Sequence, residues 1–113
     1  MAARFGRWKT HKSSQIIVRV IWTDTALDDI DAIHGYLARF NPSAAAQVVN
    51  ALVEAADNLK VFPAKGRTGL IPGTREFTIV VPYVLVYRIR SDVIDIVRIL
   101  HAKRNRNTLT DNG

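Results

Sequence analysis

The stretch VVPYVLVYRIRSDVIDIVRILHAKRNR, residues 80–106, constrains the fold more than any other part of the chain. Two runs rich in Val, Ile and Tyr, at 84–90 and 93–101, are separated only by Ser91 and Asp92. That is the pattern of a β-hairpin with a short turn. Residues 93–100 are apolar with little alternation, as expected of a strand covered on both faces. Other elements of the chain must therefore supply the covering layers. The second run ends in His101, Lys103, Arg104 and Arg106, an abrupt change from core-forming to cationic side chains.

The covering layers are readable upstream. IIVRVIW, residues 16–22, is β-branched and aromatic and suits a strand. Residues 23–25 open a helix, with Thr25 and Asp28 spaced like a capping box that uses Asp. Leu27, Ile30, Ile33, Leu37 and Phe40 then recur at helical spacing. Asp28, Asp29 and Asp31 lie in its first turns, where the positive end of the helix dipole favours acids. Asn41-Pro42 starts a second helix, with Asn41 as cap and Pro42 at the first helical position. Ala45, Val48, Val49, Leu52, Ala56 and Leu59 line one face of it, and its alanines allow close approach to the first helix. Phe62-Pro63 ends the helix. Residues 64–73 read as loop, 74–81 as a strand and Pro82-Tyr83 as a bend. The order β-α-α-β-β-β specifies an α+β domain, a helical hairpin packed on a small, mainly antiparallel sheet. Residues 1–15 show no period and read as a flexible basic extension, leaving 16–113 as the domain.

Length and composition exclude several classes. With 113 residues and 48% hydrophobic content, one domain is expected. The chain has no cysteine, so disulfides and thiolate metal sites are excluded. No apolar run approaches the roughly 18 residues needed to span a bilayer, and the N-terminus lacks the apolar core of a secretory signal. A cytoplasmic protein is expected. His11, His34 and His101 have no ligand-spaced companions, so no metal is expected. Gly66, Gly69 and Gly73 fit no phosphate-loop fingerprint, and no serine sits on a nucleophile elbow, so no cofactor is expected. The net charge of +6 is polarised. Residues 1–15 carry Arg4, Arg7, Lys9 and Lys12 with no acid, whereas 16–59 carry an excess of acids. From residue 60 onward, ten Lys/Arg face four acids, a half that can attract an anionic partner.

Candidate site residues concentrate in that basic half. Strict alternation along 93–101 places Arg98 on one face with Ile94, Ile96 and Leu100. A guanidinium there needs a carboxylate or a solvated groove. Asp95 falls on the opposite face, which makes Glu76 the expected ion-pair partner of Arg98, unless Arg98 faces a ligand. His101 is of the residue type that can serve as acid or base. Lys103, Arg104 and Arg106, joined by Arg67 and Arg75, can hold phosphates. The same cations also serve as an ordinary solubilising surface.

The segments W-x-x-x-A-x-x-D-I (22–30), NPSAA (41–45), L-x-x-FP-x-x-GR-x-G (59–69), GTRE (73–76), PYVLVYR (82–88) and VRILHAKR (97–104) occur in one order. In that order they resemble the RelE/ParE superfamily of bacterial type II toxin–antitoxin toxins, often called plasmid stabilisation proteins. The resemblance covers nearly all of residues 17–106. It implies a toxin that a cognate antitoxin neutralises in a hetero-oligomer, with operator DNA contacted only through the antitoxin and no membrane association. RelE-like members cut mRNA on the ribosome, whereas ParE-like members inhibit DNA gyrase. The RelE-like tail tyrosine would fall near Thr110 and the strand arginine near Ile79, so neither is present. The ILHAKR ending looks closer to ParE-like members. The resemblance therefore implies gyrase inhibition, with Arg67, Arg75, Arg98, Lys103, Arg104 and Arg106 facing target or antitoxin. The alternative it leaves is an mRNA endonuclease with His101 and Arg104 as catalytic groups. A degenerate, non-toxic basic binding module is a third.

Overall fold

Thr23 decides how the chain leaves its first strand. In the computed structural model, which describes residues 16–102, β1 (Arg19–Trp22) runs straight into α1 (Asp24–Ala38). Thr23 is extended (φ −68°, ψ 161°) and its hydroxyl oxygen accepts from Ala26 N at 3.1 Å. The same hydroxyl donates to the carbonyls of Ile96 and Val97, at 3.0 and 3.1 Å, in the strand beside β1. The cap is thus Thr23 rather than the expected Thr25, which lies inside the helix. Only Thr23 combines an extended backbone with a carbonyl that accepts the first helical bond, from Leu27 N.

Helix α2 (Pro42–Asn58) begins as its sequence dictates, with Asn41 Oδ1 accepting from Ala44 N at 3.1 Å and Pro42 in the first turn. The connection between the helices is so short that they pack on each other, α1 also lying on β1 and on the Val93–His101 strand and α2 on the Arg75–Val80 strand. Ala26, Ile30 and Ile33 of α1 face the core, but Leu27 and Phe40, both expected to be buried, are 46% and 69% exposed. The buried face of α1 is therefore narrower than the apolar stripe. On α2, Ala45, Leu52, Ala55 and Ala56 are buried, and Leu59 follows them. Each large aliphatic side chain so covered stabilises the fold by about 1.5–3 kcal/mol.

A 3-10 turn at Pro63–Lys65 leads to β2 (Arg67–Thr68), β3 (Arg75–Val80), β4 (Tyr83–Arg90) and β5 (Val93–His101). The sheet order is β1-β5-β4-β3-β2, with β1 parallel to β5 and every other pair antiparallel. The two-residue β2 falls in the segment expected to be loop, and it is too short to leave a period in the sequence. The last hairpin and its Ser91-Asp92 turn lie where the sequence places them, and β5 is central, as its apolar run requires.

Alternation in β5 is broken. Val86 of β4 is opposite Arg98, but Tyr87 is opposite Ile96, which leaves Val97 as an extra residue. Ile94, Ile96 and Ile99 consequently all join the helix-facing core with Leu52, Leu59, Leu85 and Tyr87. Val97 and Leu100 instead pack with Val84, Val86 and Ile71 on the face that carries no helix. The expected grouping of Ile94, Ile96, Arg98 and Leu100 on one face is corrected accordingly.

Candidate functional site

The bulge sets the fate of Arg98. Its Nε and Nη2 donate to Asp29 Oδ2 and Oδ1 of α1 at 2.8 and 3.1 Å, and Ile99 N donates to the same carboxylate at 2.9 Å. This fork holds the guanidinium above its ordinary pKa, the hydrogen bond to Asp29 outweighing the opposing effect of burial. The expected Glu76–Arg98 pair does not form. Glu76 and Arg98 share one row of the sheet, but Val86 of β4 stands between them, so they are about 10 Å apart. Glu76 instead accepts from Leu70 N at 2.9 Å and pairs with Arg67 at 3.5 Å. Asp29 escaped notice because its place in the first turns of α1 already had a helix-dipole explanation. Its position one turn before Ile33, beside the core face, was the available signal.

Arg75, another described candidate cation, is also committed to structure. Arg75 Nη1 donates to Gly66 O at 2.7 Å and reaches Ala64 O at 3.5 Å. Tyr87, fully buried, completes this loop anchor: its hydroxyl accepts from Gly66 N at 2.8 Å and donates to Pro63 O at 2.7 Å. Burial raises the Tyr87 pKa, partly offset by the Gly66 hydrogen bond. The row of Arg75 and Tyr87 is four residues along β4 from the row of Tyr83 and His101. Arg75 and His101 are thus separated by roughly 13 Å along the strands and about 10 Å across them. Arg67 and Arg75 do not share a site with His101. Lys103, Arg104 and Arg106 lie outside the described residues, as does the 1–15 extension.

His101 itself borders a groove of 230 Å³ between α1 and the end of the hairpin, lined by Asp29, Ala32, Ile33, Tyr36, Tyr83 and Ile99. Its ring meets Tyr83 edge-on, with centroids 5.8 Å apart. At the outer end of α1, Tyr36 and Phe40 are exposed and in edge contact at 5.4 Å, with the Arg39 guanidinium over both rings. Exposed Tyr, Phe and Arg are the residue types that anchor protein interfaces. Sequence reasoning had assigned Phe40 to the core and passed over Tyr36.

One ion cluster was missed altogether. Arg88 Nε lies 3.1 Å from Asp95 Oδ2, and Arg90 binds the same carboxylate through Nε and Nη2. The hydrogen bond from Arg90, aided by Arg88, holds the Asp95 pKa below the usual carboxylate range despite burial. A depressed carboxylate stabilises the fold above its unfolded pKa near 3.9 and loses that contribution as pH falls through the folded value. Urea midpoints should therefore drop below about pH 4 more steeply in the native protein than in Asp95→Asn, which removes that titration. Parallel pH profiles for the two would sink the assignment. Among the described residues no group of His, Asp and Glu could hold a metal ion, and no helix is long and apolar enough to cross a membrane.

Residues 20–106 match the family described as the ParE toxin of the type II toxin–antitoxin system, parDE. The chain belongs to the ParE toxin family. Its relatives include toxin RelE2 of Caulobacter vibrioides, 40% identical over 88 residues that cover 78% of this chain and 99% of that protein. The putative toxin Y4kP of Sinorhizobium fredii is 42% identical over 85 residues, 74% of this chain and 88% of its own. Among solved structures, a chain of a chromosomal ParDE TA system from P. aeruginosa superposes with a TM-score of 0.68 at 28% identity. That match covers 77% of this chain and 98% of the other. This ParE-family chain is thus the toxin component of a type II toxin–antitoxin system. The family match extends to residue 106 and so takes in the cationic end of the hairpin.

Proposed function

We propose that this ParE-family toxin inhibits DNA gyrase through surface contacts rather than by chemistry of its own, and that a cognate antitoxin neutralises it by covering the same surface. One observation carries the reading. Arg75 and Arg98, described cations a nuclease would need for holding phosphate, are tied to loop carbonyls and to Asp29, and the exposed Arg67 lies three strands across the sheet from His101. Arg75 is also too far from His101 to share a substrate phosphate with it. Positioned donors converging on one reacting centre are what phosphate-ester cleavage requires. The exposed Tyr36, Arg39 and Phe40 beside the groove suit protein contact instead. Gyrase places the site of action in the cytoplasm, and operator DNA would be reached through the antitoxin.

Gyrase supercoiling in the presence of the purified chain tests this. Inhibition at near-stoichiometric toxin, with cleaved DNA trapped on the enzyme and activity restored by antitoxin, is the expected result. Undiminished supercoiling under a large excess of toxin would remove the proposal. A second reading, ribosome-dependent mRNA cleavage, draws support from the His101–Tyr83 contact in an open groove and from the name of the Caulobacter relative. Under that reading primer extension on a translated reporter shows new cut sites that vanish in His101→Ala. Under the gyrase reading the reporter stays intact.

A further inference from the structure

We propose that the helix-free face of the sheet docks the backbone of duplex DNA through Arg19, Arg67, Arg88 and Arg90. Both helices lie on the opposite face, with Leu85, Tyr87, Ile94 and Ile96. Residues paired across a sheet share a face, so the register fixes what the open face presents. Arg19 and Arg90 flank Val93 in one row, and Arg88 stands opposite Asp95 in the next. Arg67, Glu76 and Val86 follow in a third, which Arg98 leaves at the bulge to reach Asp29 of α1. The carboxylates of this face are buried and the guanidiniums are not. Asp95 and Glu76 side chains are 4% and 2% exposed, while Arg88, Arg90 and Arg67 are 49%, 55% and 70% exposed. Arg19 is exposed as well, and among the described residues it has no ion-pair partner.

An approaching macromolecule therefore meets a belt of arginines whose neutralising acids lie beneath them. Only Asp92, at the tip of the β4–β5 turn, adds an exposed acid on these strands. Asp95 also fixes the orientation of Arg88 through Nε alone, which leaves both terminal nitrogens of that guanidinium for an anion. Arg19 sits on one edge strand and Arg67 on the other, four strand spacings or about 19 Å across the sheet and four residues or about 13 Å along it. That span is comparable to the width of a duplex.

The chemistry of the face discriminates between polyanions. Among the described residues no large exposed apolar side chain stands on the strands themselves, and Val18, next to Arg19, and Leu70, whose N donates to Glu76, lie only at the rim of this face. A protein partner would need such an apolar anchor. Single-stranded nucleic acid would need an aromatic platform, yet Tyr83, Tyr87, Phe77 and Trp22 all pack toward the helices. Duplex phosphate requires neither. The surface is also remote from the groove, because Arg90 is seven residues along β4 from the row of His101.

The test is fluorescence anisotropy of a labelled random-sequence duplex titrated with the full chain over a range of salt. Arg19→Gln/Arg88→Gln removes two belt charges and leaves Asp95 paired with Arg90. Lys60→Gln/Lys65→Gln removes two charges elsewhere, Lys65 lying over Phe77 on the helix side. The belt variant should bind about 10-fold more weakly at moderate salt and lower the slope of log K against log salt by about 1.8. The control should change affinity less than about 2-fold, and Arg88→Lys, which keeps the charge, should bind like the native chain. Thermal melts verify that each variant is folded. Equal losses in the belt and control variants would overturn the proposal. So would tighter binding of a single strand or a polyglutamate peptide than of duplex, with the loss following the same arginines.

Discussion

Asp29→Ala is expected to lower stability by about 2–3 kcal/mol, equivalent to a fall in melting temperature of roughly 10–20 °C for a domain this size. The carboxylate receives Nε and Nη2 of Arg98 and the amide of Ile99, and its side chain is only 16% exposed. Removing it strands a guanidinium that is two-thirds covered and a backbone N–H, each of which carries a desolvation penalty. Arg98 keeps some access to water, at 32% exposure, which places the estimate at the low end for a broken buried pair. Asp29→Asn should lose less, because its amide oxygen can still accept from Ile99 N. Adding Arg98→Leu to Asp29→Ala should recover part of the loss by removing the stranded charge. Circular-dichroism melts of the three variants decide the matter. A native-like melting temperature in Asp29→Ala would mean that the pair contributes nothing net.

Asp29 also shows where sequence reasoning stops. The helices, the last hairpin and their order are written in local signals: Asn41-Pro42, the Ala-rich face of α2, and the apolar run ending at His101. Those signals act within a few residues, so they survive translation into structure. The Val97 bulge does not. Nothing in VIDIVRILH marks one residue as extra, because every member of the run is compatible with a two-sided strand. The extra residue appears only when β5 is registered against β4, where Tyr87 must face Ile96 to bury its ring and Leu85 must face Ile99. Once the bulge exists, the partner of Arg98 changes from a residue 22 positions upstream to one 69 positions upstream. Ion pairs are set by such register differences.

The same limit explains the scattered basic site. Arg67, Arg75 and Arg98 look equivalent in sequence, but each is drawn to the nearest acceptor that the fold leaves under-satisfied. Arg75 serves the carbonyls of Gly66 and Ala64, in a loop too short to pair its own backbone. Conversely, no local signal in the sequence sets Arg88 and Arg90 apart. The structure gathers them on one buried acid, on the face the helices leave open.

The loop anchored by Arg75 and Tyr87 carries the other large expected effect. Gly66→Ala should cost about 3 kcal/mol or more in urea unfolding, a value reserved for overpacking against rigid surroundings. A Cβ on residue 66 would lie 2.7 Å from Glu76 O, 2.8 Å from Tyr87 Oη and 2.9 Å from Tyr87 Cε1. The backbone at Gly66 is extended (φ −75°, ψ 156°), so any residue can adopt it and the penalty is purely steric. Relief requires moving the loop away from β3, which breaks the Gly66 N–Tyr87 Oη and Arg75 Nη1–Gly66 O hydrogen bonds together. Tyr87→Phe alone should cost less, about 1–3 kcal/mol, by orphaning Gly66 N and Pro63 O. The double variant separates the two causes. It removes the hydroxyl from the path of the new methyl but leaves the Glu76 carbonyl and the ring in place, so it should remain at least as unstable as Gly66→Ala. Recovery toward the stability of Tyr87→Phe would show that the hydroxyl alone obstructs the methyl. A Gly66→Ala protein within about 0.5 kcal/mol of native would show that the loop can shift freely, against the close packing that β2, Arg75 and Tyr87 impose on it.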